Sequence, residues 1–139
     1  DIIVGFPGET EEEFNTTYKF LQKIKFYKTH IFKYSQRKGT KAAVMPNQVD
    51  GNVKEERSRK LIALSDENER EYNKKYIGKI VEVLFEEPHL ENGKKFIKGH
   101  TTNYIVVKVE EKEHKLENAI EKVEIIDLDD IELVGKLDE

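Results

Sequence analysis

The chain has 139 residues, enough for one domain or two small ones, with 24 Lys/Arg against 28 Asp/Glu and a net charge of −4. It has no cysteine, which excludes a disulfide framework and a thiolate metal site within these residues. No apolar run is long enough for a membrane helix and no signal peptide is visible, so a cytoplasmic protein with no membrane partner is expected.

The first ten residues organise the rest. Ile2-Ile3-Val4 are three β-branched residues in a row, the pattern of a short strand buried on both faces. Gly5-Phe6-Pro7-Gly8 breaks that strand. Thr10 then offers an N-cap, and Glu13 three residues on completes a capping box. Strand, glycine turn and helix in this order place the turn at the carboxyl end of the strand, where parallel α/β sheets and barrels bind ligands. An ordinary βα turn has the same pattern. The abrupt start inside a strand is what a piece of a longer protein would show.

The helix is expected from Thr10 to about Lys25, with Phe14, Tyr18, Leu21 and Ile24, together with Phe20, facing a sheet. His30 to Tyr34 reads as a second strand. The two strands and the helix make a βαβ unit with parallel strands and a right-handed crossover. Ser35 to Ala43 is a polar, basic loop after that strand, so two loops converge at one mouth. Arg37 there suits a carboxylate or phosphate as a bidentate donor, or is a surface arginine; spacing alone allows both. Between Phe14 and Val49 there is no acidic residue but there are eight basic ones, Lys19, Lys23, Lys25, Lys28, Lys33, Arg37, Lys38 and Lys41. That stretch is either a footprint for a polyanion or a solvated lysine-rich surface.

Met45 to Asn52 is a turn-rich link. Lys54 to about Lys75 is a long charged helix with few apolar residues, Leu61, Ile62, Leu64 and Tyr72, which suggests a connector between two bodies. From Tyr76 the pattern turns to β. Strands are expected over 77–85, 95–100, 104–109, 120–127 and 131–137, with a loop over Pro88 to Gly93. Five short strands with no room for a helix of any length suggest a small closed barrel of oligonucleotide-binding type. Residues 76–139 carry nine Lys/Arg against sixteen Asp/Glu, so nucleic acid would have to meet a local face. Lys94, Lys95, Lys98, His100, Asn103, Tyr104 and Lys108 gather around the middle strands. Tyr104 suits base stacking, and equally suits a core position.

Several stretches together resemble one family. Asp1 to Thr10, Tyr34 to Ala43, and Gln48-Val49 with Lys54 to Arg57 are similar to the C-terminal part of the radical-SAM methylthiotransferases. Gly99-His-Thr-Thr-Asn-Tyr-Ile105 and Val107-Lys-Val109 resemble the TRAM domain that closes those enzymes. The order and spacing match over essentially the whole chain. The glycine motif alone recurs across many radical-SAM enzymes; its combination with the Tyr-Ser loop and a TRAM barrel is highly specific.

The resemblance implies an α/β fragment, the end of a parallel radical-SAM β/α barrel, over 1–52. It implies a connecting helix over 53–75 and a five-stranded TRAM barrel over 76–139. It also implies a parent enzyme that uses S-adenosylmethionine and two [4Fe–4S] clusters to methylthiolate an adenosine of tRNA next to the anticodon. The cluster cysteines would lie outside this chain, which should be inactive alone. By position, Gly5, Phe6, Pro7, Gly8, Tyr34, Ser35 and Arg37 match cofactor-binding loops, with Glu9 capping a turn. Lys98, His100, Asn103, Tyr104 and Lys108 are the expected RNA contacts. No catalytic side chain and no metal ligand is assigned here. Arg37 in Tyr-Ser-x-Arg-x-Gly-Thr resembles the tRNA branches, and Ser35 to Gly51 with Asn103-Tyr104 resembles enzymes acting on N6-threonylcarbamoyladenosine. The alternatives are an isopentenyladenosine branch, a branch modifying a ribosomal protein, which an acidic barrel would suit, and a non-catalytic RNA-binding module.

Overall fold

The computed structural model describes residues 1–25, 28–112 and 115–138. They form two compact units, Asp1–Glu69 and Arg70–Glu139. The first contains strand β1 (Ile2–Val4), helix α1 (Glu11–Ile24), strand β2 (Ile31–Lys33), a 3₁₀ turn (Ala42–Val44) and most of helix α2 (Gly51–Lys74). β1 and β2 pair in parallel, Ile2 opposite Ile31 and Val4 opposite Lys33, as a βαβ unit requires.

α1 begins where the capping box places it. The Glu13 N–H donates to the Thr10 hydroxyl at 3.1 Å, and Glu13 in turn accepts from the Thr10 N–H. It ends at Lys25, whose backbone is left-handed and whose N–H reaches the Leu21 carbonyl. Phe14 and Leu21 are buried with Val4, Leu61 and Leu64, and Tyr18 packs against this cluster. Phe20 and Ile24, expected on the same face, are about half exposed. At 3.6 residues per turn they lie roughly 120° and 80° around the helix from Phe14, outside the stripe that meets the sheet.

α2 starts three residues before the expected Lys54. The Asp50 carboxylate accepts the Asn52 N–H at 2.8 Å and its carbonyl accepts the Lys54 N–H, so Asp50 acts as the cap. The buried face of α2 in this unit is mostly polar: Arg57, Ser58, Ser65 and Asn68 lie beside Leu61 and Leu64. Ser65 donates to the Thr29 carbonyl and Asn68 reaches the Leu21 carbonyl at the end of α1. Hydrogen bonds to backbone thus accompany the two leucines, while Ile62 points to solvent.

The second unit contains β3 (Ile80–Glu91), β4 (Lys94–His100), β5 (Val106–Glu110), β6 (Ile120–Asp129) and β7 (Glu132–Leu137), closed in the order β3-β4-β5-β7-β6. All neighbours are antiparallel except β5 and β7. Val83, Phe85, Ile97, Val107, Val109, Val123, Ile125 and Leu133 fill the interior in the alternation a half-buried strand dictates. Gly99 allows the closest approach: a Cβ there would stand 2.1 Å from the Leu84 carbonyl oxygen.

Several boundaries differ from the sequence pattern: β3 starts at Ile80 rather than at 77, β6 runs on to Asp129, and two further differences have a clear cause. Pro88 to Glu91 was expected as loop but continues β3, and only Asn92 and Gly93, both at positive φ, make the turn. Proline is tolerated there because β6 pairs with β3 only as far as Leu84, leaving Pro88 on an edge. Tyr104 was expected to open a strand, yet β5 starts at Val106 and Tyr104 occupies a tight turn at φ 64°.

Lys108, on the outer face of β5, is 5% exposed. It donates to Glu91 at 2.8 Å and to Asp129, and its ammonium lies 5.4 Å from the centre of the Phe96 ring. Burial opposes the ammonium, but the hydrogen bonds to Asp129 and Glu91 outweigh it and raise the Lys108 pKa. The same hydrogen bond, with the charge of Lys108, lowers that of Asp129. The depressed carboxyl stabilises the fold above its ordinary 3.8, a contribution lost as pH falls through its lower folded value. The raised ammonium stabilises below its ordinary 10.5, a contribution lost as pH rises through its higher folded value. Lys108→Met, which keeps the apolar stem against Phe96, should lower the thermal midpoint at pH 7. It should also flatten the loss of stability below about pH 4. Thermal melts across pH check both; equal acid limbs in the two proteins would remove the pair from the account.

Candidate cofactor loops and barrel surface

The two expected loops meet at an aromatic contact. The Phe6 and Tyr34 rings pack edge-on with centres 5.4 Å apart. The Tyr34 N–H donates to the Val4 carbonyl at 2.8 Å, prolonging the β1–β2 ladder into both loops. Gly5 and Pro7 are buried, whereas Phe6, Gly8, Ser35 and Arg37 are exposed. Gly5 and Gly8 hold φ of 77° and 89°, which L side chains rarely adopt. The Gly8 N–H donates to the Asn47 carbonyl, tying in a third segment. The Tyr34 hydroxyl is buried with no hydrogen-bond partner.

Glu9 caps the glycine turn as the resemblance implies, and two side chains of α2 that the sequence pattern assigned no role hold the loops with it. The Glu9 carboxylate accepts the Gly5 N–H at 3.0 Å and an Arg57 N–H at 2.8 Å. Arg57 also donates to the Glu9 carbonyl at 3.1 Å, approaches Glu11, and stacks its guanidinium 5.6 Å from the Phe14 ring centre. Its side chain is 7% exposed. One helical turn earlier, Lys54 donates to the Tyr34 carbonyl at 3.1 Å, with its ammonium 5.7 Å from that ring's centre. Its stem lies against Gly5, so that a Cβ on Gly5 would stand 2.1 Å from Lys54 Cγ. Lys54 and Arg57, three residues apart on one face of α2, therefore hold one loop each. The available signal was their phase with Leu61 and Leu64, which a search for apolar positions alone misses.

Ser35 and Arg37 lie in the second loop, further from the Phe6–Tyr34 contact. Arg37 contributes its carbonyl, which accepts from the Thr40 hydroxyl at 2.8 Å. Gln36 and Gln48 donate to the carbonyls of Ala43 and Ala42, so the loop is internally bonded. A groove of about 430 Å³ runs beside the first loop, lined by Phe6, Pro7, Gly8, Glu9, Glu13, Thr16 and Thr17. Tyr34, Ser35 and Arg37 do not line it, so the two loops do not share its walls.

In the barrel, Lys98 and Lys108 stand opposite each other on β4 and β5. Both are matched by carboxylates, Lys98 by Glu132 at 3.0 Å and Lys108 as described. His100 lies 3.1 Å from Glu86. Asn103 donates to the Tyr76 hydroxyl at 3.0 Å and accepts from the Thr101 hydroxyl at 2.6 Å. Tyr104 is 81% exposed. The expected RNA contacts thus divide into paired cations on the strands and an exposed ring on the turn that follows β4. Among the described residues no cluster of His, Cys, Asp or Glu is arranged to hold a metal ion, and no helix is long and apolar enough to cross a membrane.

Fold and loops together define a protein with a parallel βαβ segment carrying a glycine loop, followed by a closed five-stranded barrel. No family model matches the chain. It is similar to named tRNA methylthiotransferases, as its motifs lead one to expect. Over 108 residues, 77% of this chain, it is 50% identical to the threonylcarbamoyladenosine tRNA methylthiotransferase MtaB of Bacillus subtilis, covering 24% of that protein. Over 137 residues, 99% of this chain, it is 45% identical to a probable threonylcarbamoyladenosine tRNA methylthiotransferase of Methanocaldococcus jannaschii, covering 29% of it. Over 108 residues it is 48% identical to the tRNA-2-methylthio-N(6)-dimethylallyladenosine synthase of Fusobacterium nucleatum, covering 25%. The chain therefore spans about a quarter of the length of these relatives.

Gly5→Ala should cost about 1–2 kcal/mol from its left-handed backbone alone, with a further loss from the contact with Lys54. Gly5→Ala combined with Lys54→Ala should recover only the second part. Urea unfolding of the four proteins separates the two; full recovery in the double variant would mean that the backbone at Gly5 is unstrained.

Proposed function

We propose that this chain is the C-terminal part of a radical-SAM tRNA methylthiotransferase that acts on C2 of N6-threonylcarbamoyladenosine next to the anticodon. In this reading, residues 1–52 close the catalytic β/α barrel, 53–75 form the connecting helix, and 76–139 are a TRAM domain that helps to bind tRNA. The parent would work in the cytoplasm.

The observation that carries the barrel assignment is the exposed apolar face of β1 and β2. Ile3 and Phe32 stand opposite each other, 57% and 52% exposed, on the side away from α1. Parallel sheets occur with both faces covered and with more than two strands. An apolar pair on an open face fits the interior wall of a larger parallel sheet, continued by strands elsewhere in the parent. The barrel order, with β5 and β7 parallel, agrees with an oligonucleotide-binding topology.

Phe6, Gly8 and Tyr34 fit S-adenosylmethionine. Phe6 offers an exposed apolar ring, and Gly8 has open space where a Cβ would stand. The buried Tyr34 hydroxyl beside Phe6 lacks the partner that such a group ordinarily has. Phe6, Gly8 and Tyr34 would hold the adenosyl part by apolar contact and backbone approach, while Ser35 and Arg37 orient polar groups. When bound, the cofactor supplies the radical and the methyl group. The clusters do not fit this chain, which has no thiolate, so their ligands would come from the rest of the parent.

The threonylcarbamoyl substrate is preferred because the M. jannaschii relative matches through the barrel as well as the βαβ segment. Mass spectrometry of tRNA nucleosides from cells with and without the full gene should show loss of the 2-methylthio group from threonylcarbamoyladenosine alone. Loss from isopentenyladenosine would move the substrate to the other branch. No change in any nucleoside would reject tRNA methylthiolation.

A further inference from the structure

We propose that the turn Thr101–Ile105, with Tyr76 and Lys79, is a stacking site for an unpaired RNA base, and that the paired lysines of β4 and β5 are not. This rests on the reading that the barrel meets RNA, and it names the surface that does so.

Tyr104 is presented outward by a braced turn. The Tyr104 N–H donates to the Thr101 carbonyl and the Thr101 N–H to the Ile105 carbonyl, both at 3.0 Å. The Ile105 N–H donates to the Thr101 hydroxyl at 3.1 Å, and Thr101 and Ile105 are buried. A bulky residue at φ 64° is unfavourable, and asparagine or glycine would serve the turn better. The ring nonetheless stands 81% exposed, so neither packing nor backbone preference accounts for a tyrosine there. Strain retained at an exposed aromatic points to a ligand. The braced turn already fixes the backbone that carries the ring, so little backbone freedom is lost when a base stacks on it.

Its neighbour Asn103 joins the turn to Tyr76 through the 3.0 Å hydrogen bond. The Lys79 ammonium lies 5.7 Å from the centre of the Tyr76 ring. Lys79 has no carboxylate partner among the described residues, unlike Lys98, Lys108 and His100. A phosphate beside the stacked base can therefore be met by Lys79 without breaking an ion pair. The acidic balance of this half of the chain does not oppose such a corner. Both ends of the Asn103 amide are engaged within the protein, so Asn103 positions the turn rather than reading the base. Recognition by one ring and one cation is tolerant of sequence.

The test uses the full 139-residue chain and a short fluorescein-labelled single-stranded RNA. Tyr104→Asn removes the ring while suiting the left-handed backbone, so the turn is kept; Tyr104→Phe keeps the ring. Tyr104→Asn should weaken binding about tenfold, and Tyr104→Phe should bind as the natural chain does. Lys79→Ala should weaken binding and reduce the salt slope by about one. Lys98→Ala should change little. A 4-thiouridine in the RNA should crosslink to the peptide carrying Tyr104. Binding that survives Tyr104→Asn, or is lost in Lys98→Ala, overturns this site while leaving RNA binding by the barrel intact. Absence of any RNA binding or crosslink in the natural chain overturns both.

Discussion

The first unit depends on the buried ion pair between Arg57 and Glu9. A guanidinium that is 7% exposed is costly to bury, and here it is matched by a carboxylate, a backbone carbonyl and the face of Phe14. The same Glu9 oxygen accepts the N–H of Gly5, so the pair sets the glycine loop as well as the helix that carries Arg57. Removing either partner leaves a charge without its match next to the core. Among the described residues of this unit, five apolar side chains are buried in the cluster, which gives each polar tie more weight.

From this follows a division of labour within the segment. The ladder of β1 and β2 brings both loops to one end of the sheet, Lys54 and Arg57 hold them, and Phe6 and Tyr34 close the contact between them. Phe6, Gly8, Ser35 and Arg37 stay exposed around that contact. The barrel separates structure from surface in a similar way. Lys98 and Lys108 are spent on carboxylates of their own unit, whereas Tyr104 stands in solvent on a turn braced by the bonds of Thr101 to Tyr104 and Ile105.

Much of the fold was legible. Three β-branched residues, a glycine turn and a capping box define β1, the loop and α1 with little ambiguity, because each is a local signal. The alternation in the second half likewise led to five strands. What was missed depended on contacts distant in sequence. Phe20 and Ile24 look like core until the width of the buried stripe is known. Pro88 looks like a loop until the pairing of β3 shows that its outer edge is free. Tyr104 looks like the start of a strand because its neighbours Ile105 to Val107 are apolar. Arg57 is unrecognisable as a buried residue in a helix rich in charge, since nothing local shows that Glu9, 48 positions earlier, is its partner.

The direct test of this account is a double-mutant cycle on Arg57→Met and Glu9→Gln, read by urea unfolding of the chain. Arg57→Met removes the guanidinium but keeps an apolar stem against Phe14, and Glu9→Gln keeps the side-chain shape but removes its charge, so the cycle reads the charge–charge part of the interaction. The account requires a coupling of about 1.5–3 kcal/mol, with each single variant losing nearly as much as the double. Losses that add to within about 0.5 kcal/mol would show that Arg57 and Glu9 act independently, and the glycine loop would then owe its conformation to something else.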